Sequence, residues 1–363
     1  MKIGIVGLPY VGKTSIFNAL TQSNAETGAY IAQKRTNISS VKVPDERLTA
    51  LAEIFAPKKV TSSAIDYVDV AGVSKGELEA KGELESGFMA ELREVDALAH
   101  VIRVFEDESV PHVDGSVNPK RDIETIELEL AFADLQIIEK RRERINSELR
   151  VKKAPELEHE LAVLERCKAA LEGNIPLREI EISPQDEKVI RGYGFLTQKP
   201  TLLICNIGEE QLERAEEIRT NFAEYGEKPK TEVVTLSAKL EMEIAQLDAE
   251  DAQIFLTEMG VGESALTRFI QTSYHLLELI VFFTGNPNEV RAGMLRRGQT
   301  AVEAAGAIHT DFAQGFIRAE TIHWEDLVNC GGLAQAREQG RLRLEGKDYV
   351  VQDGDVLTIR FNV

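Results

Sequence analysis

The sequence predicts an α/β protein in three parts: a mostly parallel sheet covered on both faces, a helical hairpin inserted into it, and a small strand-rich module at the C-terminal end. Three observations predict this. Short β-rich runs alternate with helical stretches over residues 1–120 and again after 200, the pattern of parallel strands joined by crossover helices. Between Asp122 and Leu171 glycine is almost absent and charge is dense. After Tyr274 the chain changes to short runs punctuated by glycine. A chain of 363 residues is expected to form two or three domains, and the expected boundaries are 1–120 with 200–280, 121–199, and 281–363.

Taken in order, "KIGIVGL" is a buried strand and "KTSIFNALTQ" opens a helix. "SSVKVPD", "SAIDYVDVAG" and "ALAHVIRVF" are further strands, continued by "PTLLICNI" (200–207) and "TEVVTLSAK" (231–239). In the insert, Ile126, Leu130, Ala133 and Ile137 are spaced four, three, four, and Leu157, Leu161, Leu164, Lys168 and Leu171 repeat the rhythm. A turn near Pro155 makes this an antiparallel helical hairpin. The run "KRRERINSELRVKK", Lys140 to Lys153, then lies at its tip, with seven basic residues against two acidic. It reads either as a contact for RNA or as a solvated helix end. In the last 80 or so residues Asp353-Gly354 has hairpin-turn chemistry between strand-like segments. No internal repeat links the three parts.

Composition narrows the class. With 43% hydrophobic and 28% charged residues the chain has material for real cores. No apolar run reaches the roughly 20 residues that span a bilayer, so no membrane partner is expected. The first residues form a strand pattern that leads straight into a motif, which is not how a signal peptide reads. Cys167, Cys205 and Cys330 are scattered and lack metal-ligand spacing, as in reduced cytoplasmic proteins. A net charge of −19 argues against a general DNA or RNA binder, unless positive charge is presented locally.

The chemistry is carried by four motifs in a fixed order. Gly7-x4-Gly12-Lys13-Thr14 sits between a strand and a helix, which is the setting a P-loop requires. Residues Gly7, Leu8, Pro9, Tyr10, Val11, Gly12, Lys13, Thr14 and Ser15 would wrap the phosphates. Lys13 would reach the β- and γ-phosphates and the Thr14 hydroxyl would hold Mg2+. "YVDVAG" supplies Asp69 and Gly72 in DxxG form, Asp69 for Mg2+ and Gly72 for the γ-phosphate. Asn206-Ile207-Gly208-Glu209 stands where GTPases usually carry Asn-Lys-x-Asp, and Ser237-Ala238-Lys239 follows as the loop behind the base. Together these mark a GTPase-type nucleotide domain. A carboxylate only accepts hydrogen bonds, and the usual aspartate clamps the adjacent N–H donors of guanine. The longer Glu209 removes that clamp and favours ATP; alternatively it is a surface residue and base preference is simply lost.

With these motifs the chain resembles the YchF / Obg-like ATPase family. The resemblance runs over essentially its whole length: the phosphate loop, "DVAG", "REVDALAHVIRVFED", "HVDGSVNPKRDIE", "NIGE", "SAK" and the C-terminal "AAGAIHTDFAQGFIRAE". It implies an α/β P-loop nucleotide domain with an inserted antiparallel coiled coil and a C-terminal TGS module of β-grasp fold. It also implies a ribosome-associated ATPase that prefers ATP to GTP. A monomer is expected, and the placement of positive charge points to ribosomal contacts through Lys140–Lys153 and the TGS module. The competing function is a nucleotide-sensing adaptor in which hydrolysis is incidental. A Ras-like protein has a water-orienting glutamine after DxxG; here the position is Val73, and the resemblance assigns the role to His112. Two departures stand out. Tyr10 replaces the family's usual asparagine, so potassium stimulation is not expected. The family's "NYPFCT" segment reads "AYIAQKRTN", which leaves Thr36 as the nearest switch threonine for Mg2+.

Overall fold

The computed structural model describes residues 1–21, 37–69, 88–259 and 263–362. Thr36, Gly72 and Val73 lie outside them. The chain divides into two units, Met1–Ser40 with Asp66–Leu276, and Val41–Ile65 with Leu277–Val363.

The first unit is built on a six-stranded sheet of order β2-β4-β1-β5-β6-β7. Its strands are β1 (Lys2–Val6), β2 (Asn37–Lys42), β4 (Ala64–Asp69), β5 (Ala97–Arg103), β6 (Thr201–Asn206) and β7 (Thr231–Leu236). β1 pairs in parallel with β4 and β5, and β5–β6 and β6–β7 are also parallel. Every residue of β5 and β6 is buried, as expected where helices cover both faces. Each strand read from sequence meets one of these, most of them a residue or a few shorter among the described residues, while β2 starts at Asn37, two residues before the run read there.

The insert is a helical hairpin of Pro119–Val151 and Pro155–Glu172. Proline stands at the first position of both helices, where its missing N–H costs nothing. Asn118 caps the first, its side chain accepting from Arg121 N. Ile138, Ile145, Val163, Leu164, Cys167 and Leu171 form the shared core. At the hairpin's base the fully buried Asp134 carboxylate accepts from Arg93 Nη1 at 2.8 Å, from the backbone N–H groups of Leu196 and Thr197, and from the Thr197 hydroxyl.

The second unit carries a mixed sheet of order β11-β10-β12-β8-β9-β3. Here β3 is Lys59–Thr61, β8 Leu279–Gly285, β9 Glu289–Arg296, β10 Phe316–His323, β11 Arg343–Glu345 and β12 Asp355–Phe361. The helix Ala301–Ile308 packs Ala301, Ala304 and Ala305 onto Phe282, Leu295 and Leu357, giving the β-grasp arrangement. Two features differ from the sequence reading. Val41–Ile65, assigned there to the nucleotide domain, clusters with this unit, because β3 adds to β9 in parallel and Arg47 of the helix Glu46–Phe55 bonds Asp353 at 2.7 Å. The Asp353-Gly354 turn forms, with Gly354 at φ 88, but it closes no hairpin. The segment before it bridges Thr300 through Val350, while β12 after it pairs with β10 and β8.

Candidate nucleotide-binding site

The loop from Gly7 to Gly12 connects β1 to the helix Lys13–Thr21, and its glycines are where the backbone requires them. Gly7 has φ 149, and a Cβ there would stand 2.5 Å from the carbonyl oxygen of Val101 on β5. Gly12 has φ 100, and a Cβ would strike the Asn206 amide. The Leu8 and Val11 side chains are buried, so only their backbones can face a ligand; Pro9 and Ser15 are partly exposed. Tyr10 is 42% exposed at φ 63, a conformation that asparagine tolerates far better than an aromatic residue. That is a physical reason for asparagine at this position.

Lys13 is nearly buried and folds back over the loop, its Nζ donating to Gly7 O at 3.0 Å and Leu8 O at 2.7 Å. Burial lowers its pKa to about 8, with the Asp69 charge opposing. Thr14 Oγ1 donates to Asp69 Oδ2 at 3.1 Å, joining residues far apart in sequence. Burial also raises the Asp69 carboxyl above its usual range, against the Thr14 hydrogen bond and the Lys13 charge.

At the other end Asn206 acts as a staple. Its Nδ2 donates to Val11 O and its Oδ1 accepts from Ala238 N, both at 2.9 Å. The phosphate loop and the Ser237–Lys239 loop are therefore held by one buried amide. Ser237 caps the following helix, and Gly208 N donates to Gln211 Oε1 at 2.8 Å. Lys239 Nζ and Glu209 Oε2 form an exposed ion pair at 3.1 Å. The Ile207 side chain is withdrawn from any ligand: it packs with Ile102, Cys205 and Phe222 in the core. Its backbone N–H is tied to Leu236 O.

His112 lies in a loop organised by Arg103, whose guanidinium donates to the carbonyls of Phe105, Asp107 and Pro111. Both of its ring nitrogens are engaged. Nε2 is 3.0 Å from Asp122 Oδ2, and Nδ1 accepts from Asp114 N at 3.1 Å. Its side chain is 4% exposed. Sequence reasoning passed over Asp122 and Arg103; the only local signal was the Asn118-Pro119 helix start that fixes where Asp122 falls.

The basic run looks different once its partner helix is present. Arg141 makes a two-pronged pair with Glu160 at 2.8 Å, and Arg142 is held by Glu139 and Glu165. Over 119–172 the hairpin carries eleven Lys/Arg against thirteen Asp/Glu. The local excess of positive charge is thus an effect of reading one helix alone. The turn itself keeps Arg150, Lys152 and Lys153 exposed around Val151, which is 88% exposed. Among the described residues no helix is long and apolar enough to cross a membrane.

Comparison with known proteins places these features in context. A family model described as 50S ribosome-binding GTPase matches residues 2–139, and a model of the YchF GTPase C-terminal region, described as a protein of unknown function, matches 279–362. The chain is 44% identical to the "Ribosome-binding ATPase YchF" of Bacillus subtilis over 99% of both chains. To the protein of that name from Escherichia coli O157:H7 it is 42% identical, over 100% of this chain and 99% of the relative. Among solved structures it matches the Schizosaccharomyces pombe YchF GTPase with a TM-score of 0.84 at 30% identity, covering 99% of this chain and 97% of that one.

Proposed function

The chain belongs to the YchF family, and from that premise we propose that it is a ribosome-associated P-loop ATPase, binding and slowly hydrolysing ATP in preference to GTP as a nucleotide-dependent switch. The observation that carries this reading is the convergence of Lys13, Thr14 and Asp69 at the mouth of the Gly7–Gly12 loop. The loop amides and Lys13 bind the phosphates. Thr14 and Asp69 are hard oxygen donors 3.1 Å apart and would hold Mg2+; the motifs alone propose Thr36 as a further Mg2+ ligand and Gly72 as the γ-phosphate contact. The ion supplies charge neutralisation on the phosphate oxygens when bound. Lys13 must be charged for this work, and the incoming phosphates restore the charge that burial disfavours.

At the base end the Glu209–Lys239 pair supports the preference for ATP. A glutamate held by lysine does not offer the free pair of acceptor oxygens that guanine's adjacent donors need. Asn206, Gly208, Ser237 and Ala238 shape the purine side through backbone and amide groups. Ile207 contributes only support from below, so converting it to lysine would bury a charge rather than rebuild a guanine site. Glu209→Asp alone is the cleaner probe.

His112 is the water-positioning group. It is engaged on both nitrogens, so one contact must open before it can act, consistent with slow turnover. The same observation favours the second reading, an adaptor in which occupancy alone changes ribosome affinity. The ribosome contact uses the exposed turn Arg150–Lys153 of the Lys140–Lys153 run together with the C-terminal β-grasp module, whose near-neutral charge from Val281 onward, nine Lys/Arg against eleven Asp/Glu, allows close approach to RNA. The protein works in the cytoplasm as a monomer, without a membrane or DNA partner.

Calorimetry with ATP and GTP in the presence of Mg2+, followed by turnover with and without ribosomes, tests the proposal. Tighter ATP binding and ribosome-dependent turnover support it; equal affinity for GTP overturns the base assignment. Ribosome binding that is identical with ATP and a non-hydrolysable analogue selects the adaptor.

A further inference from the structure

We infer that Asp122, in the first turn of the hairpin's long helix, is a positioning residue that fixes the tautomer of His112 and so ties the base of the hairpin to the attacking water. The inference rests on the reading of His112 as the water-positioning group.

The hydrogen bonds settle where the protons are. Nδ1 of His112 accepts the backbone N–H of Asp114, so it carries no proton of its own. The ring proton is therefore on Nε2, donated to Asp122 Oδ2 at 3.0 Å. Asp122 is itself fixed: Oδ1 takes Arg121 Nε at 3.0 Å and Nη2 at 2.8 Å, while Arg121 Nη2 also donates to Ser116 O at 2.7 Å. The Asp122 side chain is 3% exposed, so the carboxylate has one orientation, set by the helix that Asn118 caps.

The two contacts on His112 are unequal. A hydrogen bond to an ionised carboxylate is roughly twice as strong as a neutral one, so the Nδ1 contact with the Asp114 backbone opens first. What is then freed is an unprotonated nitrogen on a ring still held by Asp122. During hydrolysis the water oxygen bonds the γ-phosphorus as the bond to the β–γ bridging oxygen breaks, and the water proton passes to Nδ1. The products are ADP and phosphate, and Asp122 balances the transient imidazolium charge. The charges of Asp122 and Lys13 also bear on one buried residue of the sheet. His100, opposite Val6 in the sheet, is held neutral with a pKa of about 3 by burial first and Arg178 second; Asp122 opposes this and Lys13 reinforces it.

The test uses the full-length protein. Nitrogen-15 NMR of labelled histidine, with the His112 signal assigned by its loss in His112→Ala, reads the tautomer directly. The wild type is expected to show one tautomer protonated on Nε2, and Asp122→Asn a mixture. Turnover of Asp122→Asn at saturating ATP should fall about tenfold or more with KM within twofold, as for other tautomer-fixing carboxylates. In the His112→Ala background Asp122→Asn should add no further loss. Asp122→Asn turning over at the wild-type rate with a single Nε2 tautomer, while His112→Ala is slow, would overturn the role of Asp122 and leave His112 standing. A His112→Ala protein as fast as wild type would instead remove the reading beneath it. A raised KM or lost ATP binding in Asp122→Asn marks a structural role and counts against the inference.

Discussion

The phosphate loop and the helical hairpin both drew attention through charge, and they teach opposite lessons. In the loop, Lys13 finds its partners at Gly7 and Leu8, within six residues. Its meaning is local, and the spacing of a few residues carries it. In the hairpin, Arg141 finds Glu160 and Arg142 finds Glu165, across the turn on the opposing helix. There a run of seven basic residues reads as one basic surface until the second helix takes up Arg141 and Arg142 and leaves the turn to carry it. Charge read along one strand of sequence is reliable only where the partners are close in that sequence.

The largest expected effect tests how far the hairpin depends on long-range partners. Asp134→Ala leaves Arg93 and the N–H groups of Leu196 and Thr197 facing an emptied buried position. Urea unfolding should show a loss of about 3–5 kcal/mol. Lys13→Ala is the local counterpart: ATP affinity should drop by about a hundredfold or more in calorimetry, with thermal stability largely kept. If that variant bound ATP normally, the loop would not be a phosphate site.

A pH series sharpens the same side of the comparison. Burial lowers the Lys13 pKa to about 8 in the empty protein, so above that pH the amine is neutral before nucleotide arrives. Binding must then take up a proton, and ATP affinity should weaken up to about tenfold per unit as pH rises past 8. Calorimetry in buffers of different ionisation enthalpy would register that uptake. An affinity flat to pH 9.5 would show that Lys13 stays charged. The sign for folding is opposite: between about 8 and the unfolded value near 10.5, the unfolded chain binds more protons, so this group favours folding as pH rises.

Tyr10→Gly probes the one strained side chain in the loop. Relief of a positive φ is expected to stabilise the protein by about 1 kcal/mol in chemical denaturation. Arg142→Ala closes the series. Its pairs are largely solvent-facing, so the melting temperature should move by no more than about 1–2 °C. Ribosome pelleting across a salt series should also be unchanged, whereas Arg150→Glu with Lys152→Glu and Lys153→Glu should weaken it. Equal weakening by both would return the contact to the shaft of the hairpin.

The same contrast explains what the sequence made legible. The strand–loop–helix of residues 2–21, the buried strands and the hairpin with its turn near Pro155 follow from periodicity, glycine spacing and proline. The pairing of Thr14 with Asp69 could be anticipated because the motif order implies it. Three things could not be. Ile207 occupies a motif position yet faces the core, since a strand end decides side by register. His112 is anchored by an aspartate whose neighbour in sequence, Arg121, hides it as one more charge at a helix start. And β3 is three residues long, too short to carry a pattern, with its partner β9 near the other end of the chain.

That last pairing has a consequence for how the protein is made. Lys59, Val60 and Thr61 leave the ribosome long before Glu289, Val290 and Arg291 exist to receive them. At synthesis rates of about 5–20 residues per second, the segment between the phosphate loop and Asp69 waits roughly 10–50 s for its sheet. During that time the N-terminal strands can assemble, but the second unit cannot close. The C-terminal residues thus do more than append a domain: their arrival completes a piece of structure begun within the first sixty-five residues, and a chain cut short near 277 would strand that piece without a fold.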